Sequence, residues 1–334
     1  MSRVSNRVRF MGEHYGGRAG GTIAALALCF AVFLAGQARA AGPVLCVLVP
    51  HFKDEYWLSV AYGLEQEAAR EGADLLFFEA GGYRALTAQI AQLEACAERD
   101  VDAILIGAVA SDDPELATAI ERAARSAPVF GLVNALDAPA LSGRVGVDWR
   151  DMGRAIGDHL ARRHPAGSDP RTAIYISGPA EAGWTGPLEA GLRAGLAGSA
   201  VSIAEVFGAD TGLRQQLALV ETALDRYPET DYLIGSAPAI EAAMGYFANT
   251  ERADPPVLVS TYFGHSILRG LLGGRVRAAV FDDPVEQGIL AIRMALNGTT
   301  TAQRTGPEIT VLTPRSPALA DVRLSPAEYF PSVR

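Results

Sequence analysis

The sequence is poor in the residue types and motifs that most often carry catalysis or bind metals. It has three cysteines and five histidines in 334 residues. His159 and His164 stand five positions apart beside two arginines, which is not a zinc-binding spacing. The chain contains no G-x-S-x-G motif, no Walker A motif and no G-x-G-x-x-G after a first strand. The sequence therefore gives no argument for an enzyme, for a bound metal or for a cofactor.

Positive charge is also scarce over most of the chain. The 29 basic residues include a single lysine, Lys53, and the formal net charge is −9. Residues 1–40 hold five of the basic residues and one of the 38 acidic residues, so residues 41–334 carry 24 basic and 37 acidic residues, a net −13. A body this acidic is a poor binder of nucleic acid or of an anionic membrane. It tolerates a small ligand that is cationic or dipolar.

The N-terminus has the pattern of a secretory signal. Residues 1–18 are polar with four arginines, residues 22–36 carry no charge, and Ala38-Arg39-Ala40 is an A-x-A cleavage pattern. This order predicts a cleavable signal peptide over residues 1–40 and an exported mature protein. The alternative is a membrane anchor, but the uncharged run is shorter than the roughly 20 residues that a membrane-spanning helix needs.

Apolar, strand-like segments alternate with amphipathic helical segments along most of the chain. The first is PVLCVLVP (43–50), followed by a helical pattern near 56–71, and the last is ITVLTP (309–314). This alternation predicts parallel α/β structure. There are too many strands for one open sheet of the usual size, so two sheets are expected.

All three tryptophans lie at predicted strand-to-helix junctions. Trp57 and Trp184 end two similar stretches, LCVLVPHFKDEYW and AIYISGPAEAGW, and Trp149 follows RVGVD. Tyr83 and Tyr262 come just after two further strands. Ligands of open parallel sheets bind beyond the carboxyl ends of the strands. The alternative for each ring is core packing, but together they favour a binding site, and aromatic faces suit a methylated ammonium group.

Charged residues flank these aromatic residues in the sequence. Asp54 is expected to cap the following helix, with a ligand cation as its alternative partner. Asp282 and Asp283 precede Pro284, which is an ordinary cap and hinge pattern, and contact of Asp282 with a ligand is the alternative. Lys53 is expected to be a solvated loop residue.

Two cysteines, Cys46 and Cys96, remain after the predicted cleavage. An even number in an oxidising compartment permits one disulfide, and two buried free thiols are the alternative.

The order of these segments and several motifs resemble the TorT family of periplasmic sensors, which belong to the type I periplasmic binding proteins. The resemblance runs from about Val44 to Pro314, and its most specific motifs are DEYWLS, EAGGY and LVNALDAP. The matching stretches are KDEYWLSVAYGLEQEA (53–68), EAGGY (79–83), DAILIG (102–107), LVNALDAP (132–139), RVGVDW with Met152-Gly153 after it (144–153), EAAMG (241–245), RGLLGGRV (269–276) and VLTP (311–314).

This resemblance implies an α/β fold of two Rossmann-like lobes, each a parallel sheet flanked by helices, with three hinge crossovers between them. It predicts an N-terminal lobe formed by residues 43–147 plus 284–298 and a C-terminal lobe formed by residues 149–281 plus 309–314. Residues 315–334 are expected to form an irregular tail.

The resemblance also implies a function. It describes a periplasmic sensor, not an enzyme, that binds trimethylamine N-oxide in an aromatic cage in the cleft. Its partner is the periplasmic sensor domain of a membrane histidine kinase of the TorS type, with no nucleic acid and no membrane insertion after signal cleavage. Carried over by motif, the cage residues are Tyr56, Trp57, Tyr83, Trp149 and Tyr262.

Two further residue assignments follow from the resemblance. Trp184 departs from the family pattern, and we expect it in the cage, at its mouth or on a partner surface. Cys46 and Cys96 match family cysteines, and in the type I topology the second helix crosses the face of the first strand. This topology favours a disulfide between them over two free thiols.

Two other functions compete with this interpretation. One is a sugar-binding protein of the same fold that serves an ABC transporter or a chemoreceptor. Such sites commonly use an arginine just after the first strand of the second lobe, and residues 178–192 contain none. The other is an exported α/β enzyme acting on a methylated amine, for which the sequence offers no nucleophile, metal set or cofactor motif.

Overall fold

The computed structural model describes residues 42–250, 254–298, 300–301 and 303–334. The predicted signal peptide, residues 1–40, lies outside these residues. Within the described ranges, none of the helices combines the length and the apolar character that a membrane span requires.

Strands and helices alternate along the described chain as the sequence predicts. The strands are β1 (Val44–Val49), β2 (Asp74–Glu79), β3 (Ala103–Ile106), β4 (Val129–Leu132), β5 (Gly143–Val145), β6 (Arg171–Ser177), β7 (Val201–Gly208), β8 (Tyr232–Gly235), β9 (Val257–Ser260), β10 (Val276–Phe281), β11 (Arg304–Thr305) and β12 (Thr310–Leu312). The helices are α1 (Glu55–Glu71), α2 (Leu86–Ala97), α3 (Pro114–Ala123), α4 (Trp149–Arg163), α5 (Thr185–Leu196), α6 (Leu213–Arg226), α7 (Ala237–Asn249), α8 (His265–Leu272) and α9 (Pro284–Leu296), with a 3-10 helix at Pro317–Asp321.

The strands form two six-stranded sheets flanked by helices. The first has the order β11-β5-β4-β3-β1-β2 and is parallel throughout. The second has the order β12-β10-β9-β8-β6-β7, in which only β12 is antiparallel to its neighbour. Central strands such as β1 and β3 are buried on both faces, which is why they read as unbroken apolar runs. The predicted fold class, two parallel α/β lobes, is confirmed.

The chain passes between the two sheets at three places before the C-terminal tail. After β5 it enters α4, which packs against α5 beside the second sheet. After β10 it enters α9, which packs against α1 beside the first sheet. The third passage joins β11 of the first sheet to β12 of the second. The exact residue boundaries of the two lobes stay a prediction.

The pairing of α1 with α9 is close because glycines face backbone on both helices. A Cβ on Gly63 would stand 2.0 Å from the carbonyl oxygen of Val285, and one on Gly288 would stand 2.3 Å from the carbonyl oxygen of Val60. This contact fixes the start of α9, which follows Asp282 in the chain, against the middle of α1.

Cys46 and Cys96 form a disulfide, as predicted, with a Cα–Cα distance of 6.1 Å. Alternate residues of β1 point to opposite faces of the sheet, and Cys46 shares its face with Leu48 and with the buried side of α2. The bond closes a loop across a sequence separation of 50. In the loop-entropy description such a loop stabilises the fold by about 4 kcal/mol.

Candidate ligand-binding site

Six buried aromatic rings meet where the carboxyl ends of the two parallel sheets approach each other. We call them the aromatic cluster. Each is 5% exposed or less, and together they comprise Tyr56, Trp57, Tyr83, Trp149, Trp184 and Tyr262. They follow five different strands, β1, β2, β5, β6 and β9. The structure therefore brings together every aromatic residue that the sequence analysis singled out, Trp184 included.

Rings from the two halves of the chain are in direct contact. Trp149 lies 5.4 Å from Trp184 between ring centroids, and Tyr262 lies 5.8 Å from Trp184 and 5.5 Å from Tyr56. Tyr83 lies 6.3 Å from Trp184. Most of these pairs are edge-to-face, so the electropositive edge of one ring meets the face of the next. The rings of the two halves therefore pack against one another as one buried group.

Two glycines make room for the indole rings. A Cβ on Gly107, just after β3, would stand 2.3 Å from the ring of Trp57. A Cβ on Gly178, just after β6, would stand 2.3 Å from the ring of Trp184. The same arrangement thus occurs in both halves: a tryptophan at the start of a helix packs over a glycine at the end of a strand.

Asp54 caps α1, as predicted, and also contacts the other half of the chain, while its contact with a ligand cation stays a prediction. Its Oδ1 accepts a hydrogen bond from the backbone N–H of Tyr56 at 3.1 Å and so caps α1. Its Oδ2 accepts from the hydroxyl of Tyr262, in the other half of the chain, at 2.5 Å. Burial raises the pKa of Asp54 despite these hydrogen bonds. The pKa of Tyr262 is also raised, mainly by burial and secondly by the negative charge of Asp54.

Asp282 is fully buried beside the aromatic cluster. Its Oδ2 accepts hydrogen bonds from the Tyr56 hydroxyl at 2.7 Å and from Gln287 Nε2 at 2.9 Å. Its Oδ1 has no hydrogen-bond partner among the described residues. Burial raises the pKa of Asp282 to about 6, against hydrogen bonds that lower it. The cap predicted for this segment belongs to the neighbour, since Asp283 Oδ1 accepts from the backbone N–H of Glu286 at 3.0 Å.

Two hydrogen-bond donors in the aromatic cluster have no acceptor of hydrogen-bonding geometry among the described residues, although the indole of Trp184 lies near enough to the Tyr83 hydroxyl to lower its pKa against the effect of burial. The indole N–H of Trp184 is buried and has no partner of hydrogen-bonding geometry within the described ranges. The Tyr83 hydroxyl accepts from Asn134 at 3.4 Å, and no hydrogen bond donated by it is found there. Burial raises the pKa of Tyr83 to about 12, so this hydroxyl keeps its proton. By contrast, the indole N–H of Trp149 donates to the carbonyl oxygen of Val133 at 3.2 Å.

His51 and Gln287 also lie at the site, and neither was predicted from the sequence. His51 is fully buried next to Tyr83, and its Nε2 lies 3.0 Å from Thr211 Oγ1 and 3.4 Å from Asp210 Oδ1. It thereby links the loop after β1 to the loop after β7. A histidine directly after the first strand was a visible signal, but nothing in the sequence named its partner. Lys53 is exposed, and its ammonium group donates to the carbonyl oxygen of Gly81 at 2.7 Å.

The chain belongs to the periplasmic binding protein family, because residues 45–299 match the family described as the periplasmic binding protein domain. The resemblance to TorT is confirmed as well. Periplasmic protein TorT of Escherichia coli K12 is 39% identical over 292 residues, which cover 86% of this chain and 83% of TorT.

Two solved structures are similar at comparable levels. The complex of the TorS sensor domain with TorT in the absence of ligand contains a chain that is 35% identical, with a TM-score of 0.76. That match covers 87% of this chain and all of the other. An ABC transporter solute-binding protein from Bradyrhizobium sp. BTAi1 with bound Bis-Tris is 34% identical, with a TM-score of 0.73 and coverages of 88% and 90%.

Proposed function

We propose that this chain is a periplasmic solute-binding sensor that holds trimethylamine N-oxide in the aromatic cluster and signals to a membrane histidine kinase. Support comes from TorT, which has been solved with the TorS sensor domain both without ligand and in the presence of trimethylamine N-oxide. The proposal includes export through a signal peptide over residues 1–40 and a binding role without catalysis.

The observation that carries this proposal is the pairing of ring faces with unused polar atoms of both kinds. Trimethylamine N-oxide is a dipole with a methylated, positive nitrogen and a negative oxygen. Ring faces attract the methylated nitrogen and exclude water from it. The unpartnered Oδ1 of Asp282 adds negative charge on that side. The indole N–H of Trp184 and the hydroxyl of Tyr83 are the donors that fit the oxide oxygen.

The hydroxyls of Tyr56 and Tyr262 serve a different purpose in this proposal. Both donate to carboxylates, to Asp282 and Asp54 respectively, so they orient these carboxylates rather than bind the oxide. Because Asp54 and Tyr262 lie in different halves of the chain, their hydrogen bond forms only when the halves are close together. Ligand binding is therefore coupled to the movement of the two halves toward each other. Such a hinge closure is a change that a partner protein can detect.

A role in transport is the second candidate, favoured by the similarity to the Bradyrhizobium ABC transporter protein. The transport role and the sensor role involve similar ligands, because Bis-Tris is also an amine. The two roles differ in the partner protein. A sugar ligand fits less well, since a pyranose needs many polar partners and the cluster offers mainly ring faces. The absence of arginine from residues 178–192 agrees with this.

Calorimetric titration of the protein lacking residues 1–40 tests the ligand. Trimethylamine N-oxide, trimethylamine, betaine and ribose are compared side by side. We expect the N-oxide to bind most tightly and ribose not to bind. Tyr83→Phe should weaken N-oxide binding about tenfold, because a hydrogen bond to a charged oxygen is lost. Tyr246→Phe, which lies outside the cluster, is the matched control.

Two results would contradict the ligand assignment: ribose binding in place of the N-oxide, or equal affinity for the N-oxide in Tyr83→Phe and wild type. The partner is tested separately by co-elution with the purified periplasmic domain of a TorS-type kinase. Failure of that experiment alone would favour the transport role.

A further inference from the structure

A second concave site lies at the opposite end of the second sheet from the aromatic cluster. It is a pocket of about 390 Å³ between the end of α4, the first residues of β8, β9 and β10, and the turn after β12. We call it the basic pocket. Its lining includes His159, Arg163, Arg277 and Arg315, together with apolar surface from Leu160 and Val257.

All the charge in the basic pocket has one sign. Within the described part of the chain, no acidic side chain contributes to the lining. Arg163, Arg277 and Arg315 form no ion pair with any described residue. The surrounding chain is acidic, with a net −13 over residues 41–334, and ten other described arginines pair with carboxylates. Arg171, for example, pairs with Asp231 at 2.8 Å.

The three arginines come from separate elements that the fold holds together. β10 and β12 pair antiparallel with Ala279 opposite Leu312, and Arg277 and Arg315, which lie two and three residues beyond this pair, both line the pocket. The helix α4 packs against both strands, and Arg163 is its last residue.

Local helix chemistry explains only part of this arrangement. A basic residue in the last turn of α4 complements the helix dipole, which accounts for Arg163 alone. Arg277 and Arg315 lie on other elements and have no such role. Burial, followed by the charges of Arg163 and Arg162, lowers the pKa of His159, which agrees with a positive potential at the rim.

We propose that the basic pocket binds a small multivalent oxyanion, such as phosphate or a di- or tricarboxylate. Guanidinium groups present paired N–H donors that match the oxygens of a phosphate or a carboxylate. Three of them line one pocket and have no ion-pair partner among the described residues, so they supply the charge that such an anion requires. The pocket volume also leaves space for a carbon skeleton beside Leu160 and Val257.

The test titrates the protein lacking residues 1–40 with citrate and with phosphate at constant ionic strength, with sodium chloride as the blank. Arg277→Gln and Arg315→Gln are compared with wild type and with Arg214→Gln, an exposed arginine of α6 outside the pocket. We expect at least one of the two anions to bind. Its affinity should fall about tenfold in each pocket variant, since a charge-assisted hydrogen bond is lost, and stay unchanged in Arg214→Gln.

Two results would overturn this proposal: neither anion binds wild type in the millimolar range or tighter, or the pocket variants bind as wild type does. Titration of the same variants with trimethylamine N-oxide serves as the folding control and should give the wild-type result. Because the two sites are at opposite ends of the strands, a negative result with the anions leaves the proposed function unaffected.

Discussion

At the scale of single residues, the buried carboxyl group of Asp282 carries a cost to folding that depends on pH. Its carboxyl is fully buried, and its pKa is raised by burial from 3.8 to about 6. A folded-state pKa above the unfolded value means that the folded protein holds the proton more tightly. The stability of the free protein should therefore fall as the pH rises from about 4 through about 6, by on the order of 3 kcal/mol.

The first prediction concerns this pH dependence. Asp282→Asn should make the free protein more stable than wild type at pH 7.5, measured by urea unfolding, and the difference should shrink at pH 4.5. Ligand affinity should change with pH in the opposite direction to stability, because the positive nitrogen of the ligand prefers the ionised carboxylate. Affinity for trimethylamine N-oxide should fall about fourfold from pH 7.5 to pH 5.5 in wild type, as Asp282 takes up its proton. If the affinity of Asp282→Asn falls as much as that of wild type between pH 7.5 and pH 5.5, Asp282 is not the group that causes the pH dependence.

The second prediction separates two tryptophans with different indole partners. Trp184→Phe removes an N–H that has no partner of hydrogen-bonding geometry among the described residues, so affinity for trimethylamine N-oxide should fall about tenfold. Stability should fall only by the packing that is lost with the smaller ring. Trp149→Phe removes the hydrogen bond to Val133 and leaves that carbonyl group buried without a donor. We expect it to lower the free energy of unfolding by about 1–3 kcal/mol. Calorimetry should show the larger loss of affinity in Trp184→Phe, and urea unfolding should show the larger loss of stability in Trp149→Phe. Equal losses in the two variants would refute the prediction.

At the scale of elements, the fold was largely predictable and the hydrogen-bond partners in the site were not. Buried parallel strands read as apolar runs, so β1, β3 and β10 could be found from local sequence. The strand β11 is two residues long and has no such pattern. The Asp54–Tyr262 and Asp282–Tyr56 hydrogen bonds join residues more than 200 positions apart. Local sequence specifies each helix cap but not which side chain from the other half of the chain reaches it.

The third prediction uses two helical glycines in different surroundings. Gly63 faces the backbone of α9, so Gly63→Ala must push α1 and α9 apart and should lower stability by about 1–3 kcal/mol or more. Gly245 lies inside α7, and a Cβ there would meet nothing within 4 Å. Gly245→Ala should instead raise stability by about 0.5–1 kcal/mol, because alanine restricts the unfolded chain. Thermal unfolding of both variants measures the difference, and a shift of the same sign in both would be inconsistent with close helix packing at Gly63.

At the scale of the whole molecule, the C-terminal residues connect the two halves in a way that the predicted irregular tail does not convey. We call residues 325–334 the strap. Its start lies against the second half, where His265 Nε2 is 2.7 Å from the Ser325 carbonyl oxygen. Its end reaches the first sheet, where the Arg334 N–H donates to the Phe77 carbonyl oxygen at 2.9 Å. Phe77 belongs to β2, the edge strand, so the strap covers a sheet edge that would otherwise be open.

The fourth prediction removes the strap. Deleting residues 325–334 takes away the contacts to His265 and Phe77 and the ring pair Tyr329–Tyr62. We expect the free energy of unfolding to fall by about 2 kcal/mol. An uncovered edge strand is also a template for pairing with another chain, so self-association should increase in sedimentation experiments.

A shorter truncation, of residues 332–334, keeps Tyr329 in place and uncovers only the edge strand. It should self-associate while losing less than about 1 kcal/mol, since a single backbone hydrogen bond is removed. If the long truncation unfolds at the wild-type urea concentration, the strap does not hold the two halves together, and hinge closure depends on the cleft residues alone.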